Sequence, residues 1–225
     1  MAEHRVLAID VGGSHVKILV TGETTLRRFV SGDDLTPQRT VEGVLEEVGD
    51  WQFDVVSIGI PAPIKGGRVA REPANLGAGW VEFDFEHAFS RPTKIVNDAA
   101  MQALGSYEGG MMLFLGLGTG LGSALVVEPQ LVVPMELAHL PFRKATFEDY
   151  VGSRGLKRAG RKKWQKAVDD AVTTLSAALA PDYVVLGGGN ADKLDGLPEN
   201  ARLGSNENAF VGGFRLWRGE AKIGR

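Results

Sequence analysis

Between residues 10 and 17 the chain reads DVGGSHVK, which sets a carboxylate (Asp10), two glycines (Gly12, Gly13), a hydroxyl (Ser14) and a cation (Lys17) within one short stretch. Together these suit a phosphate group. Glycine leaves backbone N–H groups unshielded by a Cβ, so they can converge on phosphate oxygens, while Asp10 suits indirect coordination of Mg²⁺. A second such turn, LGTGLGSAL at 117–125, presents Gly118, Thr119 and Gly120. A third, LGGGN at 186–190, offers Gly187, Gly188 and Gly189, where a nucleotide base and ribose could lie against bare backbone. Each turn alone reads equally as an ordinary hairpin, in which glycine is the commonest residue.

Asn97 and Asp98 stand where the strand pattern KIVN gives way to the helix pattern AAMQALGSY. Asp98 there suits a general base, and equally an N-cap. Glu136 and His139 are three residues apart and share a face on a helical turn, which suits hydrogen bonds to neighbouring hydroxyls or a surface pair. Residues 154–166 (RGLKRAGRKKWQK) hold seven cations and no acid, among them Arg158, Arg161, Lys162 and Lys163. Such a run is either a solvated helix face or a track for a polyanion.

The elements that position these residues follow from periodicity. RVLAID, a glycine turn and the alternating HVKILV predict an opening hairpin, with LRRFVSG as a third strand. Residues 36–51 predict a helix with Thr36 as N-cap and Pro37 at its first position, and DVVSIGIPAPI a buried strand. Residues 111–127 repeat strand, glycine turn and strand. Arg161–Ala180 predicts a long helix ended by Pro181, YVVLG a strand, and Asn208–Trp217 a closing helix. The duplication implies an α/β protein of two similar lobes with a cleft between them, the first from residues 1–98 with 208–225 and the second from 99–207.

The 225 residues, 44% hydrophobic and 24% charged, describe an ordinary globular chain, not a disordered or fibrous one. A net charge of −3 argues against a nucleic-acid partner. The absence of cysteine removes disulfides, thiolate nucleophiles and cysteine-ligated zinc. With no long apolar segment at the start, no membrane partner and a cytoplasmic location are expected. Oligomeric state stays open, a homodimer included.

Taken in order, Asp10-x-Gly-Gly-Ser, IGIPAPI (58–64), NLGAGW (75–80), Asn97-Asp98, Gly118-Thr119-Gly120, ELAH (136–139), EDYVGSRGL (148–156) and the Gly187 cluster resemble the ROK family of repressors and sugar kinases, in particular its glucokinases and polyphosphate glucokinases. The resemblance implies an actin-like (ribonuclease H-like) two-lobed sugar kinase fold that binds sugar and phosphoryl donor in the interlobe cleft. It implies Asp98 as general base, with Asn75, Asn97, Glu136, His139 and Glu148 around glucose or a similar hexose. Mg²⁺ is the implied cofactor and ATP or polyphosphate the donor.

The chain departs from the family in three places. Relatives mostly bind zinc through the histidine matching His139 and three cysteines. Here no cysteine exists, so no zinc is expected, and packing through Phe142 and Phe147 is expected to hold that region instead. Ala62 and Ala138 replace glycines at the pocket rim, which leaves the hexose open. Trp80 is placed either beside the pocket or in the core, and His15 either assists phosphate or is an exposed turn residue. The alternatives to a glucokinase are a kinase for another hexose and a non-catalytic sugar-responsive regulator. Family regulators carry an N-terminal DNA-binding helical domain, whereas a strand is expected from residue 5 here, which favours the enzyme.

Overall fold

The computed structural model describes residues 4–219 and 221–224. The first half runs β1 (Val6–Val11), β2 (His15–Val20), β3 (Arg27–Val30), α1 (Pro37–Val48), β4 (Val55–Ile60), a small hairpin of β5 (Ile64–Lys65) and β6 (Arg68–Val69), α2 (Phe85–Phe89) and β7 (Thr93–Asn97). Then come α3 (Asp98–Ser106), β8 (Met112–Leu117), β9 (Leu121–Val127), β10 (Leu131–Met135) and the β11 (Pro141–Phe142) and β12 (Ala145–Thr146) hairpin. The chain finishes with α4 (Phe147–Val151), α5 (Ser153–Ala159), α6 (Arg161–Leu179), β13 (Tyr183–Gly187), β14 (Ala201–Leu203), α7 (Asn208–Arg215) and β15 (Lys222–Ile223).

Two sheets carry the duplication. The first has order β3-β2-β1-β4-β7 and the second β14-β13-β8-β9-β10-β15. In each, three antiparallel strands in sequence are extended by two parallel ones on the side of the first strand. Residues 222–223 depart from the expected lobe division, because β15 pairs with β10 of the second sheet.

Three apolar layers hold the sheets. Leu7, Ile9 and Val11 pack with Val41, Val44 and Val48 of α1 and with Trp80 and Phe85, all buried. Trp80 is thus core, its indole N–H donating to the Leu35 carbonyl at 3.3 Å. In the second sheet Leu113, Leu115 and Leu117 meet Trp164, Val168 and Val172 of α6, while the alternate face presents Met112 and Phe114 to α3. Strand period two explains this division.

Helices α3 and α7 lie between the sheets and touch each other through glycine. A Cβ on Gly105 would overlap the Asn208 carbonyl oxygen, and one on Gly212 the Met101 carbonyl oxygen. On its other side α7 meets the first sheet at its small residues: a Cβ on Gly213 would lie 2.8 Å from that of Ala8. There the buried Ser57 hydroxyl donates to the Gly213 carbonyl (2.7 Å) and accepts from the Trp217 indole (2.9 Å). Among the described residues no helix is long and apolar enough to cross a membrane.

Candidate active site

Asp10 is the penultimate residue of β1, and its hairpin register sets it directly opposite Lys17. The Lys17 ammonium lies 3.7 Å from the carboxylate. Burial raises the Asp10 carboxyl above its ordinary value, with the Lys17 charge and hydrogen bond opposing. In parallel register Asp10 also lies beside Gly59 of β4. A Cβ at Gly59 would come within 3.3 Å of the Asp98 Cα and 2.7 Å of the Met101 methyl, so this glycine is what lets α3 start so close to β4. Gly59 lies within IGIPAPI but was not singled out from sequence; its signal is a glycine inside an otherwise apolar strand.

Asp98 is the first residue of α3. The N-cap is Asn97, whose Oδ1 accepts from Ala100 N (3.1 Å) while its Nδ2 donates to the Ala62 carbonyl (3.3 Å). Asp98 is therefore free of the capping role, and Asn97 spends its amide on building the rim. One Asp98 oxygen accepts from Ala99 N at 2.8 Å. Asp98 keeps part of its surface open, yet protein encloses its carboxyl, and this loss of water is the main reason its pKa rises to about 7. The charge of Asp10 raises it next, backbone N–H groups of Ala99 and Asp98 pull it down, and Glu136 adds a smaller push upward.

The second hairpin reaches the same place because α3 lies on β9: a Cβ on Gly122 would sit 2.8 Å from that of Ala99. Gly118, Thr119 and Gly120 form its turn. Their φ angles and those of Gly12 and Gly13 lie outside the left-handed region; close approach requires glycine at Gly12, where a Cβ would stand 3.0 Å from the His15 carbonyl oxygen, and at Gly120, whereas a Cβ on Gly118 would meet nothing within 4 Å. Only Gly188 needs both, with φ 81° and a Cβ position 2.7 Å from the Leu117 backbone. Gly187 packs on Phe114, and the Cβ direction of Gly189 is open. Gly12 N–H closes the first hairpin on the His15 carbonyl (3.0 Å), and Gly118 N–H bonds within its own turn. Among the described residues Gly13, Ser14, Thr119 and Gly120 have no backbone partner for their N–H groups.

Glu136, His139 and Glu148 form one cluster. Glu136 precedes a single 3₁₀ turn (137–139), and His139 Nε2 lies 3.6 Å from the Glu136 carboxylate while Nδ1 lies 3.8 Å from Glu148. Glu148, in the first turn of α4, also abuts the second glycine turn: a Cβ on Gly120 would stand 2.6 Å from its Oε2. The region is held by stacking, with the Phe142 and Phe147 rings 4.4 Å apart and Tyr150 edge-on to Phe142 at 5.6 Å. Among the described residues no three His, Cys, Asp or Glu side chains are grouped to hold a metal. Asn75 is exposed at the first turn, its Cβ 4.0 Å from where one on Gly13 would stand.

The basic run divides in the structure. Arg158 donates to the Asp149 carbonyl (2.7 Å), and Arg161 donates to the Lys193 carbonyl (2.6 Å) and pairs with Asp195 (2.6 Å). Both arginines thus fasten neighbouring segments while their side chains stay exposed. Lys162 and Lys163 are exposed at the start of α6.

Two glycine-turn hairpins on duplicated sheets, meeting beside a part-buried carboxylate at a helix start, define the actin-like class of two-lobed α/β fold. No family model matches the chain. The structure of an inorganic polyphosphate/ATP-glucomannokinase from Arthrobacter sp. strain KM superposes on 94% of this chain and 97% of its own, with TM-score 0.80 and 23% identity. A ROK family glucokinase from Streptomyces griseus, solved with glucose and AMPPNP, covers 95% of this chain and 99% of its own with TM-score 0.75 and 15% identity. By sequence, a polyphosphate glucokinase of Mycobacterium leprae is 25% identical over 215 residues, which is 86% of this chain but 66% of the relative. The chain therefore spans just under two thirds of that relative's length. The fold is that of the ROK sugar kinases, and the likeness to polyphosphate glucokinases read from the motifs is borne out.

Proposed function

We propose that the protein is a hexokinase-type phosphotransferase that moves a terminal phosphoryl group from polyphosphate or ATP to the hydroxymethyl oxygen of glucose or a similar hexose. The observation that carries this reading is Asp98: a carboxyl with its pKa near 7 at the partly open start of α3, within reach of the Asp10 and Glu136 charges. A base works best when its pKa lies near the working pH.

Asn75, Glu136, His139 and Glu148 hold the sugar hydroxyls, and Asn97 shapes the rim behind them. As the hydroxymethyl oxygen attacks the terminal phosphorus, its proton passes to Asp98 and the bond to the bridging oxygen breaks, leaving the shortened donor with the electron pair. The free N–H groups at Gly13, Ser14, Thr119 and Gly120, with Lys17, receive the donor's phosphate oxygens, and the Gly187 to Gly189 stretch backs its far end. Asp10 is a part-buried carboxylate beside these turns, and it fits Mg²⁺ carried mainly by phosphate and water. Bound there, Mg²⁺ neutralises charge on the transferred group.

Support for polyphosphate comes from Lys162 and Lys163, two exposed cations at the start of α6. Incubation with Mg²⁺, glucose and either ATP or long-chain polyphosphate, followed by measurement of glucose 6-phosphate, tests the reading. Product identifies a kinase and its donor. Sugar binding without product from either donor identifies a regulator.

A further inference from the structure

The Gly118 carbonyl, which opens the second glycine turn, accepts from three donors: Ser153 N (2.9 Å), Ser153 Oγ (3.0 Å) and Asn190 Nδ2 (3.0 Å). That amide nitrogen also donates to Ser153 Oγ at 3.0 Å, and Asn190 N–H donates to the Leu117 carbonyl at 2.9 Å. Asn190 is 6% exposed, one of the few buried polar residues of the protein. Its orientation is set by Lys193, whose ammonium lies 2.7 Å from Asn190 Oδ1. An ammonium only donates, so the amide oxygen faces Lys193 and the NH₂ must face Gly118. Lys193 is itself held by Arg161 from the start of α6.

A trans peptide points its carbonyl and the following N–H in opposite directions. Anchoring the Gly118 carbonyl inward therefore turns the Thr119 N–H outward, and that N–H has no backbone partner among the described residues. We propose that Ser153 and Asn190 are positioning residues for the phosphoryl donor. They act through the Gly118–Thr119 peptide, which they hold rotated so that its N–H meets a phosphate oxygen. The inference rests on the kinase reading and adds to it two residues that do not touch the reacting atoms.

Asn190→Asp keeps the shape and the Lys193 contact, but it removes both donors and sets a carboxylate against the Gly118 carbonyl. Binding of Mg²⁺-tripolyphosphate, measured by calorimetry on the full chain, is expected to weaken by about tenfold to a hundredfold, the effect of losing a buried hydrogen-bond donor. Glucose affinity is expected to be unchanged. Ser153→Ala should weaken the same binding and Ser153→Thr, which keeps the hydroxyl, should restore it; this pair decides the matter if Asn190→Asp does not fold. Parent-like tripolyphosphate binding in the folded Asn190→Asp or Ser153→Ala variant, or loss of glucose and tripolyphosphate binding in step, overturns the proposal. A parent that binds tripolyphosphate but phosphorylates no sugar removes the kinase reading alone. A parent that binds none removes the positioning role as well.

Discussion

Lys17 faces Asp10 directly across the first hairpin, its ammonium 3.7 Å from a carboxylate that burial pushes upward. Pairing with Lys17 only partly offsets the hydration that the part-buried Asp10 loses. Under the proposed function the pair lies on the donor side of the cleft. Asp10→Ala and Thr119→Ala are expected to raise donor KM or lower kcat while sugar affinity without donor stays near parent. Loss of sugar binding in both folded variants would make the turns supports for the pocket instead.

Asp98 carries the second expectation. With its carboxyl near 7, kcat/KM should rise as pH passes through about 7 and level off above, because only the deprotonated form accepts a proton. Asp98→Asn should lower kcat by at least about 100-fold with little change in sugar KM. Stability moves the other way. A carboxyl whose folded pKa is raised binds protons more tightly folded than unfolded, so its stabilising effect is present at low pH and is lost as pH rises through 7. Asp98→Asn should therefore melt several degrees higher than the parent at pH 8 and close to it at pH 4. A parent-like kcat would exclude Asp98 from the chemistry.

The Phe142–Phe147 stack gives the third. Phe147→Ala removes one ring of the Phe142–Phe147 stack and should cost about 3–5 kcal/mol by urea denaturation. Elemental analysis after dialysis against a weak chelator should find no stoichiometric zinc in the parent. Metal whose removal unfolds the protein would mean that His139 has recruited other ligands.

The split basic run gives the fourth. Lys162→Gln with Lys163→Gln should selectively raise the KM for long-chain polyphosphate and flatten its salt dependence, as fewer counterions are released, while the ATP KM stays near parent. Arg161→Gln acts differently, loosening residues 193–195, to which Arg161 is bonded. Unchanged polyphosphate KM across ionic strength in the double lysine variant counts against the track.

The interlobe helices give the fifth. Gly105→Ala or Gly212→Ala places a methyl into the backbone of the facing helix, so each should cost at least about 2 kcal/mol despite alanine's better helix propensity. A stabilised Gly105→Ala would show that α3 and α7 are farther apart than described.

Much of this was legible in the chain because it rests on local rules. Strand alternation, the Thr36 N-cap with Pro37 behind it, the stop before Pro181 and the repeated glycine-turn hairpins need only neighbouring residues, and they led to the two-lobed α/β architecture. The strand-to-helix junction located Asp98 but left it equally an N-cap, and its role as base came only from the resemblance of the ordered motifs to the ROK family. Other features required tertiary contacts between residues far apart in sequence. Gly59 matters only because parallel register sets it beside Asp10 and below Asp98, and Asn190 only because its amide meets Gly118 from 72 residues away. The cations of 154–166 look alike in sequence, yet folding bonds Arg158 and Arg161 to carbonyls, while Lys162 and Lys163, exposed as they are, make no ion pair or hydrogen bond among the described residues. Charge type is a local property, whereas whether a charge is already partnered depends on the residues that folding places around it.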